Sequence, residues 1–342
     1  MQAKNIKLWQ EIAMTNNHNK KASIIIGSYN HKDFTRECID CCLKQDFDGE
    51  YEIIVVDDGS DDGSIELIEE YASKYPQKIN YAVMDRNDGV NILGFRMSNA
   101  REKGITISSG EYILLLDGDD LISENKLSMQ IGFLEKHREF VACFTDFEWF
   151  WPDGKKKEQL FPYSSVSNSY YWGNFYMHIS SFVFRREVVK NFIHGCVNDN
   201  LATFSILKTG KIYHLSGVTF FYRQRENSVF HSFDSFEKKL REVFYSQFLL
   251  TAGIMRFSTL ARYGAIIKYI FKSRKRLSED RFKKYFGYSG VLKRDYLLEF
   301  CNYDRLGMPK KLSIRAFFIE IFFARLINRI RRTVEKTIQR KR

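Results

Sequence analysis

Short apolar runs alternate with helically spaced segments over the first third of the chain. Ala22–Ile26 (ASIII), Tyr51–Val56 (YEIIVV), Ile79–Met84 and Tyr112–Leu116 (YILLL) are compact aliphatic runs, and each predicts a strand. Between them, Phe34–Lys44 places Phe34, Cys38, Cys41 and Cys42 about a turn apart, and Ile65–Lys74 and Leu93–Lys103 also have helical spacing. Continuous apolar strands separated by helices predict βαβ units, hence an α/β fold whose mainly parallel sheet is covered on both faces. Residues 1–20 are polar with an NNHNKK break, and they read as a short leading helix and linker.

In such sheets, ligands bind beyond the carboxyl ends of the strands. Gly27-Ser28-Tyr29-Asn30 follows the first strand, Asp57-Asp58-Gly59-Ser60-Asp61-Asp62-Gly63 the second, and Asp117-Gly118-Asp119-Asp120 the fourth. Two acidic clusters therefore converge on one edge. For Asp58 to Ser64, turn and N-cap duty is an equal alternative, because Asp, Gly and Ser favour those places. Three carboxylates in four residues at the mouth of an apolar strand repel one another unless a cation compensates them. Oxygen ligands suit Mg²⁺ or Mn²⁺, so the pattern favours a metal–diphosphate site.

Composition bounds the rest. The 342 residues are 44% hydrophobic and 28% charged, which fits a globular protein of one large or two ordinary domains and excludes wholesale disorder. Six cysteines are too few for a disulfide scaffold of this size and fit a reducing cytoplasm; Cys38, Cys41 and Cys42 read as buried thiols on a helix face. The net charge of +11 is uneven: residues 251–342 hold 24 Lys+Arg against 7 Asp+Glu, while residues 1–250 are net acidic. That asymmetry points to an anionic partner, nucleic acid or membrane, at one end. No 18-residue uncharged apolar run predicts a membrane span, and MQAKNIKLWQEIAM lacks the pattern of a secretory leader.

Taken jointly, ASIIIGSYNHKDF, EIIVVDDGSDDGS and GEYILLLDGDD resemble the GT-A-fold glycosyltransferases of family 2, over about residues 21–225. The resemblance implies a GT-A, Rossmann-like mixed sheet flanked by helices, and inverting transfer of a sugar from a nucleotide-sugar donor. It implies that Gly27, Ser28, Tyr29 and Asn30 lie along the nucleotide, with Asp57 and Asp58 beside it and Asp58 on the base. Asp117-Gly118-Asp119 matches the DxD motif, so Asp117 is implied on the ribose or sugar, and Asp117, Asp119 and Asp120 around Mn²⁺ or Mg²⁺. Asn99–Gly104 resembles an ARNxG segment, which makes Arg101 a donor contact, with Arg96 its competitor and a solvated helix arginine the plain alternative. Tyr222-Arg223 resembles the YR before a segment that covers the diphosphate, a place suited to Arg223.

An inverting displacement needs a base for the acceptor hydroxyl. The family's ED motif aligns with Asn198-Asp199, ahead of Gly210-Lys211-Ile212-Tyr213-His214, so Asp199 is the implied base, with a helix N-cap as its alternative. Asn198 replaces the customary Glu, Gly27-Ser28 replaces Pro-Thr, and Glu102 replaces the Asn of ARN. No Q-x-x-R-W follows, which favours single addition over processive synthesis. Trp172–Arg186 resembles the acceptor-side strand region, with Trp172 and His178 as acceptor-site candidates.

From about residue 232 the chain reads as helical and basic, which gives three regions: an extension over 1–20, a catalytic domain over 21–231 and a C-terminal region over 232–342. Ile314–Arg342 gathers Phe317, Phe318, Ile321, Phe322, Leu326 and Ile330 on one side, away from Arg325, Arg329, Arg331 and Arg332. A basic amphipathic face suits an anionic membrane interface. Packing on the catalytic domain or in a homodimer would bury it equally well. Because many bacterial members of the family extend polyprenyl-diphosphate-linked glycans, the resemblance implies a cytoplasmic enzyme peripheral on the inner face of the cell membrane, serving surface-polysaccharide synthesis. Three other readings fit less of the sequence. Nucleotidyl transfer would want a Gly-rich loop with Lys after the first strand, a nucleic-acid-binding protein would leave both aspartate clusters unused, and an inactive scaffold rests only on Asn198.

Overall fold

The structure, a computed structural model, describes residues 20–85, 96–161, 178–192, 202–203, 205–206 and 209–225. The chain divides into two compact units, and the described residues all belong to the first, which comprises Met1–Ser167 and Tyr176–Glu226. The leading segment and the basic C-terminal region lie outside the described residues.

The strands are β1 (Lys20–Ser28), β2 (Tyr51–Asp57), β3 (Ile79–Val83), β4 (Gly110–Asp117), β5 (Leu121–Ile122), β6 (Phe140–Phe150), β7 (Lys156–Gln159), β8 (Phe182–Arg185) and β9 (Lys211–Arg223). The helices are α1 (Lys32–Leu43), α2 (Ser64–Lys74), α3 (Arg96–Ile107) and α4 (Lys126–Lys136). One mixed sheet runs β3-β2-β1-β4-β8-β6-β9-β5, with β7 paired to β6. Its first four strands are mutually parallel, as the apolar runs predict. Beyond them the sheet turns mixed: β8 is antiparallel to β4 and β6, β9 is parallel to β6, and β5 is antiparallel to β9.

Both faces of the parallel half are buried, which is why its strands carry no polar alternation. Ile24, Ile26, Ile53, Val55, Leu114 and Leu116 share one core with Cys38, Ile39 and Cys42 of α1 and Ile68 of α2. Ile25 points the other way, toward α3, and a Cβ on Gly104 would come within 2.3 Å of its Cγ2. Gly104 therefore lets helix and strand approach closely, and α3 runs past it to Ile107, four residues beyond the helix that the sequence spacing predicts. The expected burial of the α1 thiols holds: Cys38 and Cys42 are fully buried and Cys41 is half-buried.

A lysine sits at the heart of the mixed half. Lys126, the first residue of α4, is fully buried and donates to the Ser181 carbonyl (3.1 Å) and to Thr219 Oγ1 (3.2 Å). Burial pushes its ammonium down from 10.5 to about 7. The folded-state value lies below the unfolded one, so below about pH 7 both states are protonated and the folded state bears the whole desolvation cost. That cost fades as pH rises toward 10.5, so this residue makes the fold more stable with increasing pH across that window. Thermal melts of wild type and Lys126→Met from pH 6.5 to 10 should show the wild type gaining on the variant at each step. A constant difference in melting temperature would contradict the assignment.

Candidate active site

Register levels three strand ends. Gly27 pairs with Asp117 and Ser28 with Asp57, so the loops after β1, β2 and β4 leave the sheet side by side. Gly118 N–H donates to the Gly27 carbonyl at 2.8 Å, and Asp58 N–H donates to the Ser28 carbonyl at 2.9 Å. A Cβ at position 118 would stand 2.9 Å from that Gly27 oxygen and 3.3 Å from Ser28 Cα, so the middle of Asp-Gly-Asp must be glycine for the loops to meet. Gly27 has a matching reason: a Cβ there would strike Met97 Sδ of α3, at 2.1 Å.

The acids of the β2 loop divide by task. Asp57 accepts from Ser60 N–H and Ser60 Oγ, each at 2.7 Å, and Asp62 accepts from Ser64 N–H, Ser64 Oγ and Lys32 N–H. Asn30, in the left-handed region at φ 49°, exchanges hydrogen bonds with Asp61: its Nδ2 donates to Oδ1 at 2.8 Å and its Oδ1 accepts from Asp61 N–H at 2.9 Å. Asn30 N–H also donates to Ser60 Oγ. Turn and cap duty thus accounts for Asp57, Asp61 and Asp62, and it stitches the two loops together. Asp58 is buried at the junction, and Ser28 is buried with its hydroxyl 3.0 Å from that of Thr35. Tyr29 is half-buried in the same loop.

Around Asp117–Asp120 the compensating charge comes from arginine. Arg101, 3% exposed on α3, donates through Nη2 to Asp117 Oδ1 at 2.6 Å. Arg101, which the sequence offers as a donor contact, is thus an ion-pair partner of the first acid of the motif. Arg223 holds the loop from β9: its backbone N–H donates to Asp120 Oδ1 (2.9 Å), its Nε to the Asp119 carbonyl (2.7 Å) and its Nη2 to Glu37 Oε2 (2.5 Å). Its guanidinium lies between the rings of Phe34 and Phe150, 4.5 and 4.7 Å from their centroids. Arg225 Nη2 pairs with Asp119 Oδ2, and the same guanidinium lies 3.0–3.2 Å from the ring nitrogens of His31. Burial, then the Arg225 charge, lowers the His31 imidazole below its usual range.

His178, expected on the acceptor side, is buried and stacks on Phe220, with ring centroids 4.9 Å apart. One ligand atom each from Asp117, Asp120 and His178 lie within 4.8 Å of one another, a spacing able to hold a metal ion. The structure therefore brings together Gly27–Asn30, Asp57, Asp58, Arg101, Asp117, Asp119, Asp120, His178 and Arg223. Arg96 is the first residue of α3, and its side chain lies outside the described residues, as do Asp199 and Trp172. Sequence reasoning missed Arg225, Glu37 and His31. The signal for Arg225 was present, since Arg223 and Arg225 stand two apart at a strand end and so share a side.

Comparison with known proteins gives the family and the fold. The family described as glycosyl transferase family 2 matches residues 23–193, half of the chain. A poly(ribitol-phosphate) beta-glucosyltransferase of Bacillus spizizenii is 38% identical over 123 residues, covering 36% of this chain and 18% of that protein. An uncharacterized protein of Mycobacterium bovis is 31% identical over 169 residues, 48% of this chain and 47% of that one. The chain spans half or less of the length of these curated relatives. Among solved structures, S. aureus TarS 1-349 in complex with UDP-GlcNAc superposes with a TM-score of 0.56 at 18% identity, covering 94% of this chain and 92% of that one, which shows a shared GT-A fold.

Proposed function

The chain belongs to glycosyltransferase family 2, and we propose that it is a glycosyltransferase that moves one sugar from a UDP-sugar to an acceptor glycan by a single inverting displacement. One observation carries this reading. The loops after β1, β2 and β4 converge, with Asp58 at their junction and Asp117, Asp119 and Asp120 grouped at the same edge. Asp58 is assigned to the uracil-type base, with Ser28, Tyr29 and Asn30 lining the nucleotide. Arg101 fixes the Asp117 carboxylate toward the ribose or sugar.

The residues present fit a divalent cation. Two carboxylates and an imidazole, with Asp119 adjacent, offer hard oxygens and one nitrogen, a set that suits Mn²⁺ better than Mg²⁺. His178 Nδ1 accepts from Ser180 N–H at 3.3 Å. When bound, the cation supplies charge neutralisation at the departing diphosphate. Asp199 is assigned as the base that takes the acceptor proton on the opposite face.

The acceptor proposed is a lipid-linked glycan of a bacterial surface polymer; the B. spizizenii relative, named for glucosyl transfer and poly(ribitol-phosphate), supports a polymer acceptor only. The basic region over residues 232–342 would bring the enzyme to an anionic membrane surface. Among the described residues no helix is long and apolar enough to cross a membrane.

Three measurements test the proposal. Mn²⁺ with UDP should raise the melting temperature of the wild type but not of Asp119→Ala, and no response to any nucleoside diphosphate would overturn the donor assignment. Asp199→Asn should lose transfer by about 10²–10⁴-fold while still binding UDP, and full activity would remove Asp199 from the base role. Replacing Arg325, Arg329, Arg331 and Arg332 by Glu should abolish co-flotation with phosphatidylglycerol vesicles, and unchanged recovery would refute the membrane contact.

A further inference from the structure

Asp119 is the last acid of the Asp-Gly-Asp motif, and its carboxylate is already engaged by a cation of the protein's own. The Arg225 guanidinium that holds it is largely buried, its side chain 15% exposed against 17% for Asp119. The seat is made by three elements: Asp119 from the β4 loop, His31 before α1, and the Phe34 ring of α1, whose centroid lies 5.3 Å from the guanidinium carbon. Its base is fixed, because Arg223 two residues earlier is tied to Asp119, Asp120 and Glu37 and held between two rings. Arg225 can therefore change partner by side-chain rotation without moving the strand.

The two arginines that face the acids are not equivalent. Arg101 is enclosed, and its removal would leave Asp117 without its ion pair. Arg225 neutralises Asp119, which is not part of the Asp117, Asp120 and His178 group, and a divalent cation using Asp119 would meet the like charge of Arg225 there. A guanidinium also carries the planar fork that matches phosphate oxygens, so a diphosphate at this edge offers it a replacement anion.

We propose that Arg225 is the resident counter-cation of Asp119, that a divalent cation gains Asp119 only as Arg225 leaves it, and that the diphosphate of the nucleotide drives this exchange by accepting the guanidinium. This rests on the nucleotide-sugar reading above. The consequence is thermodynamic coupling: metal and nucleotide bind together better than either does alone, and each raises the other's affinity by the same factor. The exchange involves no bond-making chemistry, only a swap of ionic partners.

Titration calorimetry and Mn²⁺ electron paramagnetic resonance on the full chain, with Mn²⁺ and UDP as the probes, test it without reference to turnover. In the wild type, Mn²⁺ alone should bind weakly, and UDP should strengthen it by at least about tenfold. Arg225→Gln should bind Mn²⁺ alone at least about fivefold more tightly than wild type, with the UDP enhancement reduced to below about threefold. Arg225→Lys keeps a positive charge but lacks the fork, so it should bind Mn²⁺ alone as weakly as wild type and still lose most of the coupling. That variant carries the test should the Gln substitution impair folding.

If the wild type binds Mn²⁺–UDP but Arg225→Gln gains no affinity for Mn²⁺ alone, or either variant retains full coupling, the exchange is refuted and the functional reading stands. If the wild type binds neither Mn²⁺ nor UDP, and Asp119→Ala is indistinguishable from it, the nucleotide-sugar reading fails and the exchange fails with it.

Discussion

The level ends of β1, β2 and β4 are the constraint on which the site depends. Their register places Gly27 beside Asp117 and Ser28 beside Asp57, and two backbone hydrogen bonds, Gly118 to Gly27 and Asp58 to Ser28, close the loops against one another. Strand pairing of this kind is all-or-none along an apolar strand, since a one-residue slip would turn Ile24 and Ile26 out of one core and Ile25 out of the other. The same hydrophobic burial that holds the sheet together thus sets the positions of the acids beyond it. Gly118 and Gly27 are the local expression of that constraint: one lets two backbones touch, and the other makes room for Met97.

Convergence of acids has an electrostatic cost, and the fold meets it in layers. Asp57, Asp61 and Asp62 are consumed by hydrogen bonds from Ser60, Asn30, Ser64 and Lys32, which neutralise little charge but fix the loop. Asp117 is matched by buried Arg101, and Asp119 by the partly exposed Arg225. Asp120 accepts the backbone N–H of Arg223. The innermost compensation is rigid and the outermost is exchangeable, an ordering that suits a site that must take up and release a charged ligand. Packing supports the same edge from below, where Lys126 and Gln130 both donate to the Ser181 carbonyl, three residues past His178.

The parallel half of the sheet was legible in the sequence because its strands are buried on both faces and so appear as unbroken aliphatic runs. The mixed half was less so. β6 (FVACFTDFEWF) interleaves polar residues, including Asp146, which accepts from His214, Phe161 and Gly217 at a register shift, and its pairing with β8 and β9 spans large sequence separations. Gly104 looks like a helix end in one dimension and is a packing contact in three. The acidic motifs were legible as a group, but the division of labour among them was not, because Asp57 and Asp58 are adjacent in the chain and differ only in what the fold turns toward them.

By itself, the sequence determined the α/β class, the four apolar strands of the parallel half and the gathering of acids at their carboxyl ends, because hydrophobic periodicity and turn chemistry are local properties. Only the tertiary structure decided that Arg101 and Arg225 answer Asp117 and Asp119, that Asp57 is absorbed by its own turn, and that His178 stands with Asp117 and Asp120. Those pairings join residues 16, 106 and some 60 positions apart. Electrostatic partners act through distance in space, and no short-range pattern along a chain encodes which cation will stand within reach of which carboxylate.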